Sequence, residues 1–239
     1  MKRIVRRPRL YDNEIHAHEN ITSDEKRFLV IGDLHEPFSL DGYLEHCIET
    51  YQKWNCNHVI FIGDIIDNHF ASYHETDPDG FSAGDELDYA IDRVADWYEA
   101  FPDADVLIGN HDSLIQRKIY SGGLPKRWIK SYNEVLGTPN WRWHETLIIN
   151  DICFEHGIGG QAITKAKNNM MSSVCGHIHT EAYVKWFVGK RFKIFAMQVG
   201  SGLDAKAYSA AYARAFKKQC ISCGVILGNK IAFNVMMDL

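Results

Sequence analysis

Short apolar runs that end in glycine recur along the first half of the chain: FLVIG at 28–32, HVIFIG at 58–63 and DVLIG at 105–109. Such runs, rich in β-branched and aromatic residues and closed by a turn residue, predict buried strands. Between them the period changes. From Leu40 to Trp54 and from Asp85 to Ala100 the apolar positions recur every three or four residues, as on amphipathic helices, and Ser39 or Asp41 is available to cap the first. Three strand, turn and helix units imply parallel pairing with helices covering the sheet. Active residues should then gather beyond the C-terminal ends of the strands.

Past residue 140 the texture becomes strand-rich. TLIINDICFEHG, SSVCGH, AYVKWFVGKRFKIFAMQVG and GVILGNKIAFNVMMDL read as hairpin-like segments, with Gly189 and Asn229 at turns. Their number implies a second sheet packed against the first. A helix is expected over 205–218, where Tyr208, Tyr212 and Phe216 lie four apart on one face as a packing stripe. Residues 1–26 are polar and irregular and read as an N-terminal arm, leaving 27–239 as one domain. The stretch from His69 to Ala83 is expected to form a loop that borders the active cleft.

A hydrophobic share of 46% and a charged share of 24% are ordinary for a globular protein and exclude wholesale disorder. A net charge of -5 gives no global attraction to nucleic acid or anionic membranes. The charge is uneven, however. Eleven acidic residues and one basic residue lie between Asp67 and Asp103, whereas five basic residues and no acidic one lie between Arg117 and Lys130. No stretch approaches the roughly 20 apolar residues of a membrane span, and the basic N-terminus lacks the apolar core of a signal peptide. The expectation is a cytoplasmic protein with no membrane partner. The six cysteines mostly sit inside apolar runs, and Cys220 and Cys223 have no second pair that would make a zinc or redox motif. Nothing in the sequence signals an oligomeric state.

Polar clusters follow the predicted strands: GDLH at 32–35, GDIID at 63–67, GNHD at 109–112, EHG at 155–157 and GHIH at 176–179. Glycine permits a sharp turn and close backbone approach at a strand end, and the next side chain is then aimed into the crevice. Gathering so many carboxylate, carboxamide and imidazole groups costs desolvation unless something pairs them. A metal centre resolves that cost. Two divalent ions can clamp a phosphoryl group while an activated hydroxide attacks, and mixed ligation favours Mn, with Fe, Zn or Ni as alternatives.

The ordered set Asp33-x-His35, Gly63-Asp64, Gly109-Asn110-His111-Asp112, His156-Gly157 and Gly176-His177-x-His179 resembles the signature of the calcineurin-like metallophosphoesterase superfamily. The resemblance implies a four-layer α/β fold, two mixed β-sheets packed as a sandwich and flanked by helices. It implies one metal held by Asp33, His35, Asp64 and His179, and another by Asp64, Asn110, His156 and His177. His111 would act on the leaving oxygen as the catalytic acid, with Asp112 as its orienting partner. Some superfamily members have lost ligands and serve as binding scaffolds, but no ligand position is missing here.

The resemblance also bears on substrate. Phosphoprotein phosphatases of the superfamily carry Asp-Arg-Gly after the second motif and an arginine after the third; this chain has Asp67-Asn68-His69 and Asp112-Ser113-Leu114. Without those cationic clamps a phosphodiester is the favoured substrate over a phosphomonoester. Nucleic acid is the leading specific alternative, because Arg117, Lys118, Lys126, Arg127 and Lys130 alternate with Tyr120, Trp128 and Tyr132 and precede Trp141 and Trp143.

Overall fold

The computed structural model describes residues 25–73, 79–207 and 218–239. The first half alternates as its apolar pattern requires: β1 (Arg27–Ile31), α1 (Tyr43–Lys53), β2 (His58–Phe61), α2 (Ala83–Ala100) and β3 (Asp105–Leu107). Helix α1 starts later than its period predicts. Neither Ser39 nor Asp41 caps it. Gly42 takes the N-cap in the left-handed region with φ 86°, while the Ser39 hydroxyl donates to the buried Glu36 carboxylate at 2.6 Å. Helix α2 is capped by Ser82, whose hydroxyl oxygen accepts the Asp85 N–H at 3.2 Å.

A more helical stretch follows, with α3 (Leu114–Ser121), a 3-10 turn at Lys126–Trp128 and α4 (Tyr132–Leu136), the last closed by a capping box between Ser131 and Glu134. The remainder holds β4 (Arg142–His144), β5 (Leu147–Ile149), β6 (Ile152–Glu155), α5 (Ala162–Asn169), β7 (Ser172–Cys175), β8 (Tyr183–Val188), β9 (Lys193–Gln198), β10 (Ser222–Leu227) and β11 (Ile231–Met236). The expected arm over 1–26 lies outside the described residues except at its end. So do most of the helix expected over 205–218 and the centre of the loop at 69–83.

Two mixed sheets result. One has the order β11-β10-β1-β2-β3-β4, with β1 to β4 parallel, and the other has the order β5-β6-β7-β9-β8, with β6, β7 and β9 parallel. The late hairpin β10–β11 departs from the expectation that the strand-rich second half builds the second sheet, because β10 pairs antiparallel with β1 in the first. Every residue of β10 is buried, so it needs cover on both faces, which an interior position supplies.

Alternation along β1 shows how the layers are joined. Phe28 and Val30 face the second sheet, packing with Phe154, Val174, Phe195 and Met197, whereas Leu29 and Ile31 pack toward Cys47, Val94 and Trp97 of the covering helices. Helix α5 covers the outer face of the second sheet through Ala162 and Ala166 against Cys175 and Ala196. The architecture is therefore a β-sandwich between helical layers. All six cysteines are free. No helix among the described residues is long and apolar enough to cross a membrane.

Candidate metal centre

Five turns meet at one end of the sandwich, each leaving the C-terminal end of a parallel strand: those after β1, β2 and β3 in the first sheet and after β6 and β7 in the second. The backbone is bent sharply there. His35, Asp64 and His177 adopt left-handed conformations with φ 54°, 49° and 70°, an uncommon state for side chains of this size that concentrates at functional sites. The glycines allow the approach. A Cβ on Gly109 would strike the Asp64 carboxylate, and one on Gly176 would strike that of Asp33.

The turns bring Asp33, His35 and His179 together as one potential metal-holding group, and Asp64, His156 and His177 as another. In the first, His35 Nε2 faces His179 Nε2 at 3.2 Å, and His179 Nε2 lies 3.0 Å from Asp33 Oδ2. Asp33 Oδ2 also accepts the His177 N–H at 2.7 Å, while its buried Oδ1 has no hydrogen-bond partner. In the second, His156 Nδ1 is 3.0 Å from the Ile62 carbonyl, so in the neutral ring it carries the proton and donates there. His156 Nε2 then presents a lone pair to Asn110 Oδ1 at 3.0 Å and Asp64 Oδ2 at 3.1 Å. Two acceptors turned on a lone pair repel one another unless a cation or a proton lies between them. The residues present fit a divalent metal on that ground and on their mixed nitrogen and oxygen donors.

Asp64 Oδ2 stands between the groups, 3.1 Å from His156 Nε2 and 3.6 Å from His35 Nε2, while Asp64 Oδ1 accepts the His111 N–H at 2.8 Å. Burial pushes the Asp64 carboxyl up, but the His156, His111 and His35 rings overcome it and hold it well below the usual range. Burial lowers His35, reinforced by the neighbouring His111, which favours the neutral ligand form. Burial likewise opposes charge on His156, yet Asp64 and Asp33 push it up to about 9. Without a cation, a proton takes up the negative charge at that position.

His111 is partly exposed at the mouth of the site. Its Nδ1 lies 2.6 Å from the Asp67 carbonyl and 3.3 Å from the Asp67 carboxylate. Burial lowers its pKa, but Asp64 and Asp67 outweigh burial and push it up to about 10. The expectation that Asp112 orients this ring is corrected here. Asp112 Oδ1 accepts the N–H groups of Ile65 and Ile66 at 2.9 and 3.2 Å, and Oδ2 that of Gly109 at 2.8 Å. Its carboxylate stitches the turns after β2 and β3 together, and three backbone donors leave it little capacity for an imidazole.

Asp67 is the group that sequence reasoning undervalued. Its carboxylate meets His35 Nδ1 at 2.6 Å, orienting the ring so that Nε2 faces the first group, and it also contacts His111. The two rings hold the Asp67 carboxyl well below its ordinary range against the opposing effect of burial. Its place three residues after Asp64 in GDIID was the available signal. Gln198 had none: it is buried beneath the His177 turn, donating to the Cys175 carbonyl at 3.2 Å and to that of Gly176.

The family model for calcineurin-like phosphoesterases matches residues 26–189. The chain belongs to the calcineurin-like phosphoesterase family. That family uses divalent metals, in keeping with the clustered Asp and His donors. No curated protein matches this phosphoesterase. Among solved structures, an archaeal phosphodiesterase is similar at 14% identity over 88% of this chain and 99% of its own, with a TM-score of 0.48. Vacuolar protein sorting 29 from Cryptosporidium parvum is similar at 13% identity over 90% of this chain and 98% of its own, with a TM-score of 0.44. YfcE, a phosphoesterase from E. coli, is similar at 15% identity over 83% and 87%, with a TM-score of 0.39.

Proposed function

We propose that this phosphoesterase is a metal-dependent phosphodiesterase. Asp33, His35, Asp64 and His179 would hold one divalent ion and Asp64, Asn110, His156 and His177 a second, Asp64 being shared; Mn is favoured over Fe, Zn or Ni. When bound, such ions polarise phosphoryl oxygens and make water nucleophilic at neutral pH. The chain's own groups supply the rest. Asp67 fixes the His35 ring and holds His111 through Nδ1, which leaves His111 Nε2 to protonate the departing oxygen. Asp112 keeps the two turns in register.

The observation that carries the diester reading is the position of Asn68, which stands where phosphoprotein phosphatases of the superfamily carry an arginine. Its Nδ2 donates to the His111 carbonyl at 3.0 Å, so the side chain serves the turn and offers no charge to a phosphate. A dianionic monoester loses its clamp there, whereas a monoanionic diester needs less compensation. The test is a turnover panel with Mn, comparing an aryl phosphodiester, an aryl phosphomonoester and cyclic nucleotides. Diester turnover should exceed monoester turnover; preference for the monoester overturns the reading.

A further inference from the structure

The helical stretch beyond His111 carries a surface that hydrolysis of a small ester does not need. Tyr120 and Trp128 are 59% and 80% exposed, although burying such rings is ordinarily favourable. Exposed Arg117, Lys118, Arg127 and Lys130 are interspersed with them. The loop after the second motif joins in through Tyr73, itself 62% exposed, whose ring lies 5.2 Å from the Arg117 guanidinium and 5.3 Å from the Lys118 ammonium. From Ser113 to Asn133 there is no acidic residue.

From these features, together with the phosphodiesterase reading on which it rests, we infer that this strip binds a single-stranded nucleic acid and feeds its backbone to the metal centre. Alternating cations and open ring faces are the chemistry of single-strand binding: the cations track phosphates and each ring stacks a base without regard to sequence. The strip also begins at the site. Helix α3 follows directly on the turn bearing Asn110 and His111, and at about 1.5 Å per residue Tyr120 lies roughly 9 Å along its axis from Leu114. That length spans about three nucleotides stacked at about 3.4 Å each.

The surroundings favour a narrow strand over a broad anionic surface. Leu87 of α2 and Ile115 of α3 line one cavity of about 210 Å³, so the two helices flank it. The solvent side of α2 exposes Asp85, Asp88, Asp92 and Asp96. A duplex or an anionic bilayer wide enough to cover α3 would also meet those carboxylates, whereas a single strand can follow the basic strip and avoid them.

The test is fluorescence anisotropy of a labelled phosphorothioate oligothymidylate of about twelve nucleotides with the Mn-loaded full chain. Binding should weaken with salt. Trp128→Ala and Tyr120→Ala should each weaken it about 10-fold, with circular dichroism and melting unchanged because both rings face solvent. Replacing Arg117 and Lys118 together by Gln should reduce the slope of log K against log salt by about 1.4, from about 0.7 for each neutralised phosphate. Wild-type turnover of bis(p-nitrophenyl) phosphate separates the two readings. Turnover of that diester without oligonucleotide binding, or with binding indifferent to all three changes, overturns the strand proposal alone, while no turnover of any diester overturns both. Trp128-dependent sedimentation with phosphatidylserine vesicles in place of oligonucleotide binding overturns it in favour of a membrane surface. A Trp128-dependent dimer that excludes the oligonucleotide overturns it in favour of an interface between two copies.

Discussion

The first sheet carries two polar clusters at opposite ends of its parallel strands, built from the same residue types. At the start of β2 and β3, Asp105 is buried with His58 Nε2 at 2.8 Å on one oxygen, and His144 Nε2 at 2.8 Å with Arg142 Nε at 2.9 Å on the other. Both oxygens are satisfied within the protein. At the far end, Asp33 Oδ1 and Asp67 Oδ2 are buried without hydrogen-bond partners, and the ring nitrogens of His35 and His179 face one another. An Asp with two His is thus a structural pin at one end and an open donor set at the other. Residual unsatisfied capacity, rather than residue type, distinguishes a site from a brace.

The largest break in that comparison should come from Asp64→Asn. Its Oδ2 stands between the two donor groups, so the proposal that it is shared requires both ions to be weakened together. Metal analysis after dialysis should show loss at both positions, and turnover should fall below detection. Unchanged stoichiometry and affinity would remove Asp64 from its bridging role. His111→Ala comes next, with retention of both ions and a rate loss of about 10² to 10⁴ on a diester with a poor leaving group. The loss should shrink for a nitrophenolate, which departs without a proton. An equal loss on both substrates would point instead to charge stabilisation, and loss of metal would mean that His111 is itself a ligand.

Asp67→Asn sharpens the comparison, because Asp67 lies in the open cluster but acts through two histidines. Removing its charge should cost about 10- to 100-fold in metal affinity or activity, the usual effect of an outer partner of a ligating histidine. A change in metal affinity alone would assign it to His35. A change in leaving-group dependence alone would assign it to His111.

Much of this was legible in the chain. Glycine-closed apolar runs mark β1, β2 and β3, and the polar residues after them are the ones that converge, since parallel strands carry their C-terminal turns to one edge. What could not be read was partner choice. Whether Asp67 or Asp112 contacts His111 depends on how the turns after β2 and β3 interlock, a long-range relation with no local sequence pattern. Membership of β10 in the first sheet was hidden for a similar reason, because two-sided burial shows that a strand is interior but not to which sheet it belongs. The aromatics near residue 130 divided as periodicity could not foresee: Trp141 is buried with its Nε1 donating to the Phe101 carbonyl at 2.9 Å, Tyr132 stacks on Trp143, and Trp128 faces solvent.

The smallest effect on chemistry, and the sharpest test of the contrast, belongs to Asp105→Asn at the satisfied end. The brace is far from the donor groups in the strand direction, so the variant should keep its metal stoichiometry and its turnover. Stability should suffer instead. A carboxamide oxygen can still accept the Arg142 Nε and His144 donors, but its NH2 would face His58 Nε2 and Arg142 Nη2 and the charge-assisted bonds weaken, so the loss at neutral pH should be about 1–3 kcal/mol in denaturant unfolding. Its pH dependence carries a definite sign. Burial opposes ionisation, but His58, Arg142 and His144 outweigh it and hold Asp105 well below the ordinary carboxylate range in the folded state. The unfolded chain therefore takes up that proton more readily than the folded one, so the stabilisation is fully present above about pH 4 and is lost as pH falls through the depressed folded value. The difference between wild type and variant should accordingly be constant from neutrality down to about pH 5 and narrow below about pH 4. A gap that stays constant into acid would show that the brace works through packing rather than charge. A fall in metal content or turnover would show that the two ends of the sheet are coupled, and the distinction between brace and site would fail.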